Sequence, residues 1–421
     1  MISSSATTQG STIGASSTSS PPSAPSSHRV SAGSRRSLRV GVDGTSWLNR
    51  RGFGRFARNA VGRLVELDTE TSYVFYVDGT SGEELELPPG AESRRVALRQ
   101  AATRADSNRP MGDLVRLSRA VRRRDVDAFL FPSVYTYFPV VGVPTVVGVH
   151  DAIADELPEL TLPDRRSRLL WRVKQGVALR RATRVFTVSE ASRAVLVDRF
   201  GLRPERLGLV PEAPDPVFGP RSEPELLREL GPLGLVPGSY LMYAGGISPH
   251  KNIETLLAAY AGLRSRRADA PPLVLVGDLS GDPYLSSAAT VRGRIDELGL
   301  ETDVLLPGFV SDERLACLYA GATAVVLPSL AEGFGLPAVE AAACGAPVLL
   351  SDLPAHRESL GEAAIFFRTT DVAGLSDQMA RILDDPALRR SLAARGRAQV
   401  SGLSWDLAAE RLRELIGQVA R

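Results

Sequence analysis

Cysteine, lysine and long apolar runs are what this 421-residue chain has least of. Its two cysteines, Cys317 and Cys344, sit in apolar helical stretches, which argues against a disulfide framework and leaves too few thiols for a zinc or iron–sulfur site. The same scarcity fits a reducing, cytoplasmic setting. Lysine occurs only as Lys174 and Lys251, the other basic residues are arginines, and the formal net charge is +2. A balance so near neutral gives no case for a nucleic-acid partner. No run approaches the ~20 apolar residues that span a bilayer, and the N-terminus lacks the apolar core of a secretion signal, so a soluble or peripheral protein is expected.

At this length a single core has usually stopped growing, and two domains of ordinary size are expected. Residues 1–37 are Ser, Thr, Ala, Pro and Gly with almost no large apolar side chain, a composition that predicts a disordered tail. Its serines, late arginines and lack of acids also fit an organellar transit peptide, whereas the Arg-rich, Lys-poor body fits a bacterium of high genomic G+C content. Beyond the tail, short apolar strands alternate with helical spacing. Strands are expected at 38–43, 73–77, 128–131, 145–149 and 184–188, then at 240–244, 273–276, 304–306, 324–327, 348–350 and 364–367. Helices are expected at 53–67, 111–123, 165–181, 190–200 and 253–264. Such alternation predicts parallel sheets covered by helices, an α/β chain of two doubly wound domains. The proline-dense stretch 210–216 separates a first domain over 38–211 from a second over 212–403, and 404–421 holds a closing amphipathic helix.

The most informative stretch is Glu332-Gly333-Phe334-Gly335-Leu336-Pro337-Ala338-Val339-Glu340, where the strand 324–327 gives way to a small-residue helix. Pro337 suits the first position of a helix, because its missing amide proton would have no partner there, so the helix should start near Leu336. Glu332 then lies on the preceding loop and Glu340 in the first turns, and both face the cavity that the amides of Gly335 and Leu336 face. Free amides at a helix start bind anions, and glycines allow close backbone approach. Either glutamate alone reads equally well as an ordinary acid near a helix start.

Other residues point the same way with less force. Lys251 stands just before Asn252, a good N-cap for the helix 253–264, so an ammonium and a helix start converge where a diphosphate would fit. His150 and Asp151 follow the strand 145–149 directly, and open α/β sheets place ligand-contacting residues at the carboxyl ends of strands. Ser189 reads as a helix N-cap. The stretch 161–184 mixes Leu169, Leu170, Trp171, Val173, Val177 and Leu179 with seven arginines and Lys174, as would a helix lying on an anionic membrane or an ordinary helix packed on a core. Residues 52–57 spell G-x-G-x-x-A, the letters of a dinucleotide fingerprint, yet 44–51 separate them from the strand end where that fingerprint belongs.

Read as E-G-F-G-L-P-x-x-E, with Ala343-Cys344-Gly345-Ala346-Pro347-Val348 and Ser351-Asp352 behind it, the central stretch resembles the signature of the family-4 retaining glycosyltransferases of GT-B fold. Tyr243-Ala244-Gly245-Gly246-Ile247-Ser248-Pro249-His250-Lys251-Asn252 resembles that family's donor-phosphate loop, and Leu306-Pro307-Gly308-Phe309-Val310 its base-binding loop. The likeness covers roughly 38–421. It implies two Rossmann-like domains facing a cleft, with the last helix crossing back to the N-terminal domain. It also implies transfer of a hexose, with retention, from a nucleotide diphosphate sugar to a hydroxyl of a glycan or lipid-linked acceptor, with no metal and no other cofactor.

By the same resemblance Lys251 neutralises the departing diphosphate, which the amides of Gly335 and Leu336 also bind. Glu340 holds the ribose hydroxyls, backbone groups at Phe309 and Val310 read the base, and Glu332 stands by the sugar hydroxyls and the anomeric carbon as a stabiliser. His150 takes the place of a family histidine that contacts the transferred sugar or lies close to the acceptor, with Asp151 beside it. Gly52 and Gly54 match a glycine loop near the diphosphate and the acceptor. One departure stands out: Gly246 and His250 fill positions where the family loop carries arginine, which leaves the second phosphate cation to His250 if protonated or to an arginine from elsewhere in the chain. The Lys251-Asn252 loop and Ser351-Asp352-Leu353-Pro354 resemble mannosyltransferase-like members, which makes GDP-mannose the first guess for the donor and leaves peripheral membrane contact through 161–184 open. Two rivals belong to other classes: a nucleotide-sugar-binding protein without turnover, and a nicotinamide-dependent oxidoreductase built on 52–57.

Overall fold

The short apolar runs become strands, and they pair in parallel throughout both sheets. The computed structural model describes residues 37–47, 49, 52–79, 86–99, 109–162, 164–278 and 287–420. The first sheet contains β1 (Arg39–Asp43), β2 (Ser72–Asp78), β3 (Glu92–Val96), β4 (Ala128–Phe131), β5 (Thr145–Gly148), β6 (Arg184–Thr187) and β7 (Leu207–Leu209), in the order β3-β2-β1-β4-β5-β6-β7. The second contains β8 (Leu241–Ala244), β9 (Leu273–Val276), β10 (Val304–Gly308), β11 (Ala324–Leu327), β12 (Val348–Ser351) and β13 (Ile365–Phe367), in the order β10-β9-β8-β11-β12-β13. Strands β4, β5, β8, β9, β11 and β12 are buried along their whole length, as strands covered by helices on both faces must be.

In each sheet the strand order reverses once, between β1 and β4 and between β8 and β11. Loops leaving the carboxyl ends of strands at such a switch point diverge and leave a crevice, the usual ligand site of an open α/β sheet. The loop after β8 carries Lys251 and the loop after β11 carries Glu332, so the topology alone brings those two together.

The helices differ from expectation where local geometry overrides spacing. The stretch 53–67 is not one helix: Gly52–Phe56 and Gly62–Leu67 flank a wider π turn at Ala57–Val61. Phe56, Ala60 and Leu64 still share the buried side. The helix expected to reach 123 stops at Ala120. The closing helix Trp405–Val419 buries Trp405, Ala408, Ala409, Leu412, Leu415, Ile416 and Val419, a helical stripe. It crosses back to the first sheet: Asp406 pairs with Arg63, and Leu415 lies so close to Gly208 of β7 that a Cβ there would stand 2.7 Å from it. The helix Arg165–Arg181 turns Trp171, Gln175, Ala178 and Leu179 inward and leaves Leu169, Leu170 and Val173 exposed beside its arginines. Apart from Ser37, the tail expected to be disordered lies outside the described residues.

Candidate active site

The loops after β8 and β11 are laced to each other. The Leu330 amide donates to the His250 carbonyl at 2.8 Å. The Asn252 side-chain amide donates to the carbonyls of Pro328, at 3.0 Å, and Thr369, at 2.8 Å. Asn252 does occupy the cap position of the helix Ile253–Arg266, but its side chain does not cap it. With a φ of 56° it turns the chain in the left-handed region, and its amide ties the ends of two strands together instead.

Lacing places the Lys251 ammonium against Glu332: Nζ donates to Oε1 at 2.6 Å, and the Ser329 hydroxyl donates to the same oxygen at 2.6 Å. Both side chains are largely enclosed, with 16% and 11% of their surface exposed. Burial pushes the Glu332 carboxyl up, but the ammonium, the field of His356 and the two hydrogen bonds outweigh it and hold the group at about 2. Glu332 is therefore a carboxylate at any ordinary pH and a weak base. Lys251 retains two further N–H donors for another anion.

The next helix begins at Leu336 with Pro337 in its first turn, as its sequence demands, and Gly335 caps it with φ at 89°. A side chain at Gly335 would meet His356 Cδ2 at 2.9 Å, so only glycine lets this imidazole pack on the helix start. His356 is fully buried, and burial lowers its pKa. Its Nδ1 donates to the Ser351 carbonyl at 2.9 Å, which leaves Nε2 an acceptor with no partner among the described residues.

Residues following the strands of the first sheet reach the same place. A Cβ on Gly333 would stand 2.6 Å from the His150 carbonyl and 3.0 Å from the Asp151 Cβ. The Ser189 and Ser192 hydroxyls donate to the Gly333 carbonyl at 2.5 and 3.0 Å. Ser189 thus caps its helix, as expected, and also grips the signature loop. Asp151 is raised by burial, accepts from the Ile153 amide at 3.0 Å, and lies in the fields of Glu332 and Lys251. His150 stands here too, but both ring nitrogens are engaged, Nε2 with the Pro132 carbonyl at 2.8 Å and Nδ1 with Glu212 at 3.4 Å. Burial alone would lower its pKa; Glu212 and Pro132, both acceptors, raise it above 6.5 and favour the imidazolium. A direct bond from His150 to a sugar requires one of these two to be exchanged.

Glu340 is buried and paired across the molecule. Arg55, on the short helix after β1, donates from Nη1 to Glu340 Oε1 and from Nη2 to Asp312 Oδ1, the latter at 2.5 Å, and lies over the Phe218 ring. Gly54 is pressed against the Asn49 carbonyl, 1.9 Å from where a Cβ would be, while Gly52 opens the helix in free space. No dinucleotide turn forms here, because β1 ends at Asp43 and the turn Gly44–Ser46 follows it. In the loop after β8, Gly246 is exposed and its carbonyl accepts from the Tyr243 hydroxyl at 2.7 Å, and His250 Nδ1 lies 3.3 Å from the Ser248 hydroxyl. Phe309 and Val310 follow Gly308 at the end of β10, Phe309 largely exposed. Among the described residues no group of three or more His, Cys, Asp or Glu converges as a metal site would.

Arg55, Glu212, Asp312, Ser329 and His356 belong to this constellation and were not anticipated. Only Arg55 carried a signal, as the cation ending the glycine loop Gly52-Phe53-Gly54.

Two family models match the chain: Glycosyltransferase Family 4 over residues 50–217 and Glycosyl transferases group 1 over 237–399. Among its relatives is the O-antigen chain mannosyltransferase B of Escherichia coli, 32% identical over 284 residues, 67% of this chain and 72% of that one. Another is the MMP alpha-(1→4)-mannosyltransferase of Mycolicibacterium hassiacum, 34% identical over 232 residues, 54% of this chain and 52% of that one, so the match spans about half of that relative. The fold is shared with sucrose-phosphate synthase from Thermosynechococcus elongatus, at 21% identity and a TM-score of 0.72 over 91% of this chain and 99% of that one. It is shared also with HepE of Anabaena in complex with UDP and glucose, at 18% identity and a TM-score of 0.69 over 90% and 99%.

Proposed function

The chain belongs to the family-4 glycosyltransferases of GT-B fold, and on that premise we propose that it moves a hexose, mannose in the first instance, from a nucleoside diphosphate sugar to a hydroxyl of a glycan or lipid-linked acceptor, with retention at the anomeric carbon. The observation that carries this reading is the Lys251–Glu332 contact of 2.6 Å at the switch point of the second sheet. An ammonium with two unused donors suits a diphosphate, and a carboxylate held at about 2 suits the positive charge that develops at the anomeric carbon. The amides of Gly335 and Leu336 add fixed dipoles for the same anion. With these charges in place the departing diphosphate is stabilised electrostatically, so transfer proceeds without a metal.

Double displacement would ask Glu332 to attack the anomeric carbon. An acid of such low basicity, already accepting from Lys251 and Ser329, is a poor nucleophile, and Glu332 is assigned as a charge stabiliser instead. The bond from the anomeric carbon to the diphosphate breaks, the leaving phosphate takes the acceptor's proton, and the acceptor oxygen bonds the anomeric carbon on the face the phosphate has left, which preserves the anomeric configuration. Glu340 receives the ribose hydroxyls, and backbone groups at Phe309 and Val310 read the base. Mannose is favoured by the two mannosyltransferases among the relatives, whereas HepE, of like fold, is in complex with UDP and glucose.

Melting curves with a panel of nucleotide sugars test the reading, since a ligand that binds only the folded state adds about 2.7 kcal/mol at a hundredfold excess over its Kd. GDP-mannose should raise Tm most and should be turned over when an acceptor is supplied. No shift with any nucleotide sugar would overturn the reading, and a shift without transfer or donor hydrolysis would favour the binding protein without turnover.

The exposed Leu169, Leu170 and Val173, among the arginines of the helix Arg165–Arg181, support a lipid-linked acceptor met at a membrane surface. The chain should sediment with anionic vesicles at low salt, and replacing Leu169 and Val173 by serine should release it. Wild-type chain left in the supernatant would remove the lipid part of the proposal.

A further inference from the structure

An arginine of the first half reaches into the second and is bound there by two acids. Arg55 ends the glycine loop after β1. From there its guanidinium spans two acids of the other half, Glu340 in the helix Leu336–Ala343 and Asp312 at the start of the helix Asp312–Gly321. Phe218, just past the proline-dense crossing, lies 5.5 Å beneath it. Gly54 allows the reach, because any side chain there would run into the Asn49 carbonyl. Arg55 occupies Oε1 of Glu340, and Oε2 takes no hydrogen bond among the described residues.

We propose that Arg55 is a positioning residue for the donor: by fixing the direction of Glu340 from across the molecule, it leaves Oε2 presented to the ribose hydroxyls. Donor affinity then depends on the glycine loop of the first half lying against the second. This rests on the assignment of Glu340 to the ribose. A carboxylate accepts charge-assisted bonds from two hydroxyls, whereas the protonated acid must spend one oxygen as a donor. The groups facing Glu340 are Arg55 from the loop after β1, Asp312 and Tyr319 from the helix Asp312–Gly321, Glu212 from the crossing, and Cys344 after its own helix. Burial, Asp312 and Glu212 push the Glu340 carboxyl up and Arg55 pulls it down, and with Arg55 in place the balance is still raised, to about 8. Tyr319 and Cys344 are themselves pushed far above neutrality by burial and stay uncharged.

Titration calorimetry with GDP, UDP and inorganic pyrophosphate on the full chain, between about pH 6.5 and 9, tests the proposal. Arg55→Gln should weaken the preferred nucleoside diphosphate about tenfold or more near pH 9, where the guanidinium holds Glu340 ionised, and the loss should shrink as pH falls and Glu340 takes up its proton with or without that partner. Pyrophosphate, which has no ribose, should bind unchanged. Glu340→Gln should weaken the nucleotide with no such pH response, and adding Arg55→Gln to it should cost little more, because residues acting through one another are not additive. Arg55→Lys, which keeps the cation but not the fork and disturbs the fold least, should fall between wild type and Arg55→Gln.

If nucleotide affinity in Arg55→Gln is unchanged, or improves because the guanidinium merely competes for Glu340, the proposal is overturned while the glycosyltransferase reading stands. A matching loss of pyrophosphate affinity would also overturn it, by making Arg55 a phosphate ligand. Should Glu340→Gln bind the nucleotide as well as wild type, the ribose assignment fails and the proposal with it.

Discussion

Replacing Glu332 with glutamine should lower kcat about 10²–10³-fold, the usual loss when a preorganised electrostatic partner of the transition state is removed, and should leave donor affinity within about threefold. Glutamine has the same shape, and its carbonyl can still accept from Lys251 and Ser329, which now share Oε1. The substitution therefore removes charge without creating a cavity, and leaves Lys251 and Ser329 their acceptor. The diphosphate gains if anything, because the Lys251 ammonium no longer answers to a neighbouring anion. What disappears is the negative charge facing the anomeric carbon as its bond to the leaving phosphate stretches and the ring turns cationic. Burial sharpens the effect, since an uncompensated charge in an enclosed pocket is worth several times its value in water. Steady-state kinetics with the donor identified by the melting panel would check this. A variant with full kcat would remove Glu332 from the chemistry, and a loss confined to the donor KM would make it a binding residue.

Much of this arrangement could be read from the chain before any coordinates, for a physical reason. Strands covered on both faces must be continuous apolar runs, so β4, β9 and β11 were found at their observed limits. Edge strands escape that rule. β3 reads Glu-Ser-Arg-Arg-Val and is mostly exposed, and β7 has three residues, so neither leaves a pattern to find. The helix start at Leu336 was legible because proline and glycine act locally. Asn252 looked like a cap by the same local logic, yet tertiary contacts to Pro328 and Thr369 claimed its side chain.

The pair Lys251 and Glu332 was visible because each sits in a motif at a strand end. The bond from Arg55 to Glu340 was not: 285 positions separate them, and no local periodicity encodes a contact between two helices so far apart in the chain. His150 shows the middle case. Its position after β5 was correctly anticipated, but the orientation of its ring depends on Glu212 and the Pro132 carbonyl, which spacing does not reveal.

Lys251→Ala should be the more damaging change, weakening donor binding and transfer together. On the proposed reading its direct contribution is the cation on the departing diphosphate, and the positions where the family loop has arginine offer no substitute, since Gly246 has no side chain and His250 carries charge only when protonated. A fall in kcat/KM of about 10³-fold is expected for losing such a group in a pocket this enclosed. The second consequence falls on Glu332, which remains buried with Ser329 but without its cation. Breaking one side of an enclosed pair costs up to about 3 kcal/mol of stability, unless the orphaned carboxyl takes up a proton. The sign of the pH dependence follows. In the wild type the Glu332 carboxyl lies below its ordinary 4.5, at about 2, so its pairing contributes stability that is complete above the unfolded value and is lost as pH falls through that interval. Without Lys251, burial dominates and the carboxyl moves up. The variant's deficit in stability should then be largest at neutral pH and shrink as pH falls through the raised value and the carboxyl takes up a proton, the opposite sign to the wild type, while residual activity should rise with pH as Glu332 ionises. Melting curves and kcat/KM between about pH 4 and 8 would follow both effects. An activity loss with an unchanged acid limb of stability would mean that the 2.6 Å contact is not what holds Glu332 ionised. Unchanged donor affinity would show that the diphosphate is bound without this ammonium.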